Sequence, residues 1–253
     1  MNNIIHESVK MGKDAKIGNF TTVMEDVKLG ENVVIGNCVT VYPGTVIGNN
    51  VIVGDNCVIG RSPVVAKAST LKKRGDLTGE KLPSLVMGDC ITVGSSAVLY
   101  CGTTIADNVF IADLASIREN CRIGNNVIVG RGVTIENQCT IGAYTKLQAE
   151  AYLTALSEVG ENVFIAPTVS TTNDNFMGRT EERFKHRKGA TIKKGARIGG
   201  NAVLLPGVTV SEDAVVGAGS VVTKDIPERM VAYGNPAKVQ RETPKEQLLE
   251  AQK

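Results

Sequence analysis

An aliphatic residue returns at every sixth position over most of this chain, and that single period decides what the chain can fold into. The first block runs from Ile5 through Met11, Ile17 and Val23 to Ile59. The second runs from Met87 to Ile165, and the third from Ile192 to Val222. Together they hold thirty hexads in blocks of ten, fourteen and six, with no failure inside a block. An amphipathic helix needs a period of 3.6, and a half-buried strand needs a period of 2 alone. Glycine often follows the aliphatic residue, as at Gly12, Gly18, Gly30, Gly36, Gly48 and Gly54. Two positions further on stand Asn32, Asn50, Asn56, Asn108, Asn126, Gly195, Asn201, Gly207, Asp213 and Gly219. These residue types tolerate a left-handed backbone, so a tight corner is predicted once per hexad. The fifth position is small or β-branched, as at Val27, Val33, Val39, Thr45, Val51, Ala196, Ala202, Ala214 and Ser220. Each hexad therefore reads as a short strand plus a corner. Three hexads close a triangular coil, giving about ten coils and, at roughly 4.8 Å per stacked strand, a prism about 48 Å long. A core of many small identical layers needs few large rings, which suits an aromatic content of 4% and the absence of Trp.

The 253 residues carry a formal charge of only +2, so no general pull toward nucleic acid or membrane is expected. No apolar run approaches the ~18 residues of a membrane span, and the start lacks a signal-peptide core, so a soluble, cytoplasmic protein is the expectation. The six cysteines form no CxxC pair; Cys57, Cys121 and Cys139 fall on core positions and read as small reduced hydrophobes. No metal site is visible. The repeat divides the chain into N-terminal coils (1–60), an excursion (61–86), central coils (87–170), a second excursion (171–191), C-terminal coils (192–240) and a tail (241–253). The tail, from Pro244, reads as a short capping helix, since coils contact only their neighbours and the ends need cover. Long loops on a rigid scaffold tend to carry function. The first excursion holds Lys67, Lys72, Lys73 and Arg74, which read either as contacts to a phosphate or diphosphate or as a solvated loop. The second holds Asn173, Asp174, Asn175, Arg179 and His186, and is long enough to reach a neighbouring subunit and close a pocket, with plain subunit packing as the alternative.

The pattern resembles the left-handed parallel β-helix of the hexapeptide acyltransferases, and the expected fold class is all-β on that model. The handedness comes from the resemblance, because the general crossover rule is right-handed. The stretch GGNAVLLPGVTVSEDAVVGAGSVVTKDIPERMVAYGNPAKVQ (Gly199–Gln240) is similar to the end of CoA-dependent hexapeptide acetyltransferases, including the Gly-Asn-Pro-Ala-Lys element at Gly234–Lys238. That resemblance implies acetyl-CoA as co-substrate in a groove between subunits of a homotrimer. It implies Gly199, Gly217 and Ala218 along the pantetheine and adenine path, Lys224 and Lys238 near the CoA phosphates, and Pro236 within the same element. Corner geometry accounts equally for the glycines, and a solvated surface for the lysines. The two excursions together with ASIRENCRIG (Ala115–Gly124) and VSTTNDNFMGR (Val169–Arg179) resemble the nucleotide-linked amino-sugar N-acetyltransferases, such as those acting on dTDP-3-amino-3,6-dideoxyhexoses in surface-polysaccharide synthesis.

Many members of this wider family place a histidine base on a coil, and this sequence departs from them. Its only histidines are His6, in the first hexad, and His186, in the second excursion. A sugar hydroxyl needs a general base to attack a thioester. A sugar amine with a pKa of about 8 is already partly neutral near pH 7. The missing base therefore favours N-acylation over O-acylation, with orientation and an oxyanion donor left for the site to supply. The candidates to line that site are Arg118, Glu119, Asn120, Glu136 and Asn137, with Asn173, Asp174 and Asn175 from the second excursion. Of these, Glu136, Asn120 and Asn173 are expected nearest the chemistry; ordinary corner polarity is the alternative for each. Two remote histidines rule against a three-histidine metal site of carbonic-anhydrase type. An O-acyltransferase, an acyl carrier protein-dependent acyltransferase of the same fold and a non-catalytic scaffold are the other readings.

Overall fold

A computed structural model describes residues 2–64 and 82–252. The chain winds as a left-handed parallel β-helix, each coil laying one short strand on each of three faces. Face A runs from Ile4–Ile5 to Val221–Val222 and has eleven strands. Face B runs from Lys10–Met11 to Thr209–Val210 and has ten, and face C begins at Lys16–Ile17 and has twelve. Inside the repeat, stacked strands pair in parallel register eighteen residues apart, as Thr22 with Thr40 and Val23 with Val41. The three hexads per coil read from the sequence are that step.

The second residue of each strand points into the prism, where Val23, Ile35, Ile47, Ile59, Leu99, Ile117, Ile135 and Leu153 are buried. The small fifth-position residues Val27, Val33, Ala196 and Ala202 complete each layer at the corners. All ten residues expected to take the left-handed conformation do so, with φ between 52° at Asp213 and 75° at Gly207. The glycine that precedes many corners answers to stacking instead. A Cβ on Gly124 would lie 2.7 Å from the Ala143 backbone nitrogen, closer than atoms tolerate.

The two ends differ. At the N-terminal end the inward residues of the first coil, Ile5 and Met11, remain 42% and 46% exposed among the described residues. At the C-terminal end the chain leaves the repeat as an antiparallel hairpin, Met230–Gly234 with Ala237–Glu242, whose tip is the Gly-Asn-Pro-Ala-Lys element. The tail read as a short helix is helical in the 3-10 form, in two turns, Lys245–Gln247 and Leu249–Gln252. They are too short for an α-helix; Leu248 is buried between them, and the Leu249 N–H donates to Asp213 Oδ1 at 3.1 Å. No helix among the described residues is long and apolar enough to cross a membrane.

Candidate functional site

Both excursions leave the prism at the same edge, the one between faces A and B. The first departs after Val58–Arg61 on face A and returns at Val86–Met87 on face B. The second departs after Ser170–Thr171 and returns at Thr191–Ile192. Their bases are five coil steps apart, about 24 Å at the usual strand spacing. Four corners of the AB edge lie between them: 100–103, 118–121, 136–139 and 154–157. Five sequence candidates, Arg118, Glu119, Asn120, Glu136 and Asn137, all belong to the middle two.

At their centre is a charged cluster. The Arg118 guanidinium grips Glu119 through two hydrogen bonds, Nε to Oε2 at 2.8 Å and Nη2 to Oε1 at 3.1 Å. Its third nitrogen lies 3.6 Å from Glu136 Oε2 in the next coil. The same guanidinium sits over the Tyr100 ring, 4.9 Å from the centroid, a cation–π arrangement. Burial works against the charge on Arg118, but Glu119 and then Glu136 outweigh it and hold the pKa above its usual value. The Glu119 side chain is only 1% exposed and both its oxygens are engaged, so it holds Arg118. Glu136 is 26% exposed and is the carboxylate of the cluster that meets solvent. Tyr152 stands nearby on face A; burial first, and then Glu136, push its hydroxyl pKa up. Asn120 occupies the left-handed corner position at φ 59° and lies against Gly102 of the preceding coil. The Asn137 side chain reaches its neighbour, Nδ2 donating to Gln138 Oε1 at 3.4 Å.

The second excursion is tied down at its root and internally braced. Asn173 Nδ2 donates to the Ala155 carbonyl at 3.1 Å, and its own carbonyl accepts the Lys188 N–H. Asp174 accepts the N–H groups of Phe176 and Gly178, each at 2.9 Å, and pairs with Arg183 at 3.0 Å. Burial opposes the Asp174 charge, but the Gly178 amide, Arg183 and the Phe176 amide together hold its carboxyl below the usual carboxylate value. Asp174 is thus committed to the loop's own turn, while Asn175 is exposed. His186 lies in a one-turn helix, Arg183–His186; its Nε2 is 3.2 Å from Glu182, and its ring stacks on Phe176 at 5.9 Å. Lys72, Lys73 and Arg74 lie outside the described residues.

The candidates for coenzyme binding lie on a different edge. Gly199, Gly217 and Ala218 sit between faces C and A, in the last coils. A Cβ on Gly199 would meet the Ala218 nitrogen at 2.5 Å, and one on Gly217 the Tyr233 Cβ at 2.6 Å, so coil stacking by itself requires both glycines. Gly200 is different. It has no positive φ, and a Cβ there would meet nothing nearer than the Pro167 oxygen at 3.4 Å. The N–H groups of Gly200 and Ala218 have no acceptor among the described residues. Both open onto the CA edge, a surface on which an extended amide-bearing chain can lie close to the backbone. Lys224 is exposed at the AB edge beyond the last face-A strand. Pro236 and Lys238 are exposed at the hairpin.

Sequence reasoning did not find Tyr100, Tyr152 or Gly200. Two signals were available for them. Tyr100 occupies the corner position where other hexads have glycine, and Gly200 follows a glycine that already serves the stacking.

The repeat on which this edge is built matches the model of the bacterial transferase hexapeptide (six repeats) at residues 8–43, 102–137, 114–149 and 189–224. Over those residues the chain carries the repeat that this transferase family is built from. It is 32% identical over 144 residues to the galactoside O-acetyltransferase of Escherichia coli K12, covering 55% of this chain and 63% of that protein. It is 58% identical over 48 residues to the dTDP-3-amino-3,6-dideoxy-alpha-D-galactopyranose 3-N-acetyltransferase of Aneurinibacillus thermoaerophilus, covering 19% of this chain and 25% of that protein. The chain thus spans less than two thirds of either relative. Among solved structures, a UDP-N-acetylglucosamine acyltransferase from Arabidopsis shares the fold, with a TM-score of 0.61 at 18% identity over 96% of this chain and 73% of that one.

Proposed function

We propose that this chain transfers an acyl group, acetyl in the first instance, from acyl-CoA to the amine of a nucleotide-linked amino-deoxy sugar, with dTDP as the expected nucleotide. The observation that carries the reading is the character of the AB window. Its charged cluster contains one cation, Arg118, and two carboxylates, Glu119 and Glu136, for a net charge of −1, and its four corners contain no histidine. Such a site attracts an ammonium through Glu136 yet offers no imidazole to activate a hydroxyl. In this reading the neutral amine attacks the thioester carbonyl, a C–N bond forms and the C–S bond breaks. The amine's proton passes through water or Glu136 to the departing sulfur. The high identity to an amino-sugar N-acetyltransferase over a short stretch supports the same acceptor class.

The acceptor and coenzyme candidates occupy the two margins of face A, the AB and CA edges. One chain alone does not bring them together. The outward row of face A runs from Ile4 and Thr22 through Ser116, Thr134 and Ser170 to Val221 without a single charge, whereas face B presents Lys10, Lys28, Arg122 and Glu158. With face A toward a three-fold axis, the AB edge of one chain meets the CA edge of the next, which gives a homotrimer with three shared sites. Gly200 and Ala218 N–H groups would then hold the coenzyme's amide chain.

Purified protein is mixed with acetyl-CoA and dTDP-, UDP- or GDP-linked amino sugars, with the matching hydroxyl sugars as controls, and free thiol is followed. Release with an amino sugar alone is the expected result. Release with hydroxyl sugars alone favours O-acylation, to which the 32% identity with a galactoside O-acetyltransferase already lends some weight. No release with any sugar, together with no CoA binding by calorimetry, overturns acyl transfer.

A further inference from the structure

Behind the AB edge, the inward fifth-position residues of the four framed corners are Thr103, Cys121, Cys139 and Ser157, stacked eighteen residues apart and all buried. Elsewhere on this edge that column is mainly aliphatic: Val9, Val27, Leu85, Ala190, Val208 and Ile226, with Thr45 as the exception. The polar stretch coincides with the window between the two excursions.

Its members reshape the corners above them. Outside the window some corners of this edge close on themselves, as Val9 N–H to the His6 carbonyl at 3.1 Å, Thr45 N–H to the Tyr42 carbonyl at 3.4 Å and Val208 N–H to the Leu205 carbonyl at 3.4 Å. Inside the window a side chain reaches the corner carbonyl instead. Thr103 Oγ1 accepts the Cys121 N–H at 3.0 Å and donates to the Arg118 carbonyl at 2.7 Å. One coil on, the Cys121 thiol donates to the Glu136 carbonyl at 3.1 Å. Next, the Cys139 thiol donates to the Thr154 carbonyl at 3.2 Å. Ser157 Oγ supports the same Thr154 carbonyl from its own coil at 2.7 Å. The carbonyls held from within belong to Arg118, Glu136 and Thr154, of which Arg118 and Glu136 present partly exposed side chains to the window while Thr154 is buried.

We infer that Thr103, Cys121 and Cys139 are positioning residues: a buried hydroxyl–thiol column opens three successive corners and sets the direction in which Arg118, Glu136 and Thr154 project. The inference rests on the acyl-transfer reading for its effect on turnover, and on the fold alone for its effect on the corner. The side chain matters through its ability to hold a backbone carbonyl of the next coil, which a thiol or hydroxyl does and a methyl does not. Buried backbone groups without partners are rare because each is costly, so a corner that loses this support has to rearrange.

The test exchanges Cys121 for two side chains of nearly equal shape. Cys121→Val removes the bridge; valine already fills this column at Val27 and Val208, so the coil is expected to fold. Cys121→Thr keeps the bridge in the form Thr103 uses one coil earlier. Cys57→Val removes the equivalent S–H donor to the Gly94 carbonyl, 3.0 Å away on the CA edge in the N-terminal coils, and serves as the control. Cys121→Val is expected to lower kcat by about tenfold with little change in the KM for acyl-CoA, below the hundredfold that a misplacement of about 1 Å can cost. Cys121→Thr and Cys57→Val are expected within about twofold of the parent, the scatter of unrelated sites. Backbone amide exchange at Gln138 and Cys139 is expected to quicken in Cys121→Val alone. Cys121→Val matching Cys57→Val in both kcat and exchange overturns the inference. If the parent protein releases no thiol with any sugar, the acyl-transfer reading fails, and the exchange comparison still decides whether the column holds the corner.

Discussion

The AB and BC edges are made by the same repeat and have opposite characters. On the BC edge the residue after the core aliphatic is glycine at seven of ten corners, Gly12, Gly30, Gly48, Gly88, Gly124, Gly142 and Gly160, with Ala106, Lys193 and Ser211 at the others. Added Cβ atoms there would collide with the next coil, so this edge stacks backbone on backbone. The left-handed corner residue is commonly Asn or Asp, as at Asp14, Asn32, Asn50, Asn108, Asn126 and Asn162. On the AB edge the equivalent first position carries His6, Met24, Tyr42, Tyr100, Arg118, Glu136 and Thr154. Room for a large side chain recurs every eighteen residues along one edge of the prism, and both excursions leave from that edge. Structural uniformity on two edges thus permits chemical variety on the third.

That contrast is broken most directly by changing each edge in turn. Gly124→Val forces a side chain against the Ala143 nitrogen, 2.7 Å from where its Cβ would stand, and is expected to destabilise the protein by about 3 kcal/mol, the upper range for overpacking, in denaturant melts. Glu136→Gln on the AB edge is expected to leave stability within about 0.5 kcal/mol, as partly exposed substitutions usually do. It should reduce kcat/KM for an amino-sugar acceptor by about a hundredfold, equivalent to about 2.7 kcal/mol of transition-state binding. Unchanged turnover would remove Glu136 from the proposed mechanism. Glu119→Gln comes next. It leaves Arg118 without its buried partner, and because Arg118 is 28% exposed the expected loss is about 1–2 kcal/mol, below the range for a fully buried pair.

The smallest effect concerns the second excursion. The folded-state pKa of Asp174 lies below its unfolded value, so its contribution is fully present above about pH 4 and is lost as pH falls through the folded value. Backbone exchange at Phe176 and Gly178 should therefore rise in acid before the coils melt. Asp174→Asn should reproduce part of that rise at neutral pH, and an unchanged exchange pattern would mean that the ion pair with Arg183 does not hold the loop.

The coils were legible because the period of six is set by geometry that every layer repeats, and the corner residues Asn32, Asn126 and Asp213 were readable one by one from their backbone tolerance. The window was legible only in part. Arg118 and Glu136 stood out as charges where the repeat asks for none. Tyr100 looked like one more residue of a strand end, because its role depends on Arg118 eighteen residues away in the next coil. Glu119 drew notice as a polar corner residue, and its burial comes from the two hydrogen bonds to Arg118, which no spacing reveals. Cys121 and Cys139 were read as small core residues, which they are. Their second use, carrying a proton to a carbonyl in the coil above, is invisible to any scale of hydrophobicity. The hairpin at Met230–Glu242 was missed because it abandons the period that made everything before it readable.

The two excursions are separated by a whole number of coils, and this makes the prism a ruler with fixed graduations. Deleting or inserting one eighteen-residue turn between them would move one loop relative to the other by about 4.8 Å along the axis, without rotating it off the AB edge. The reach between whatever the two loops hold can therefore change only in steps of that size. A scaffold of this kind sets the spacing of its two loops in whole turns, and the chemistry between them separately, corner by corner.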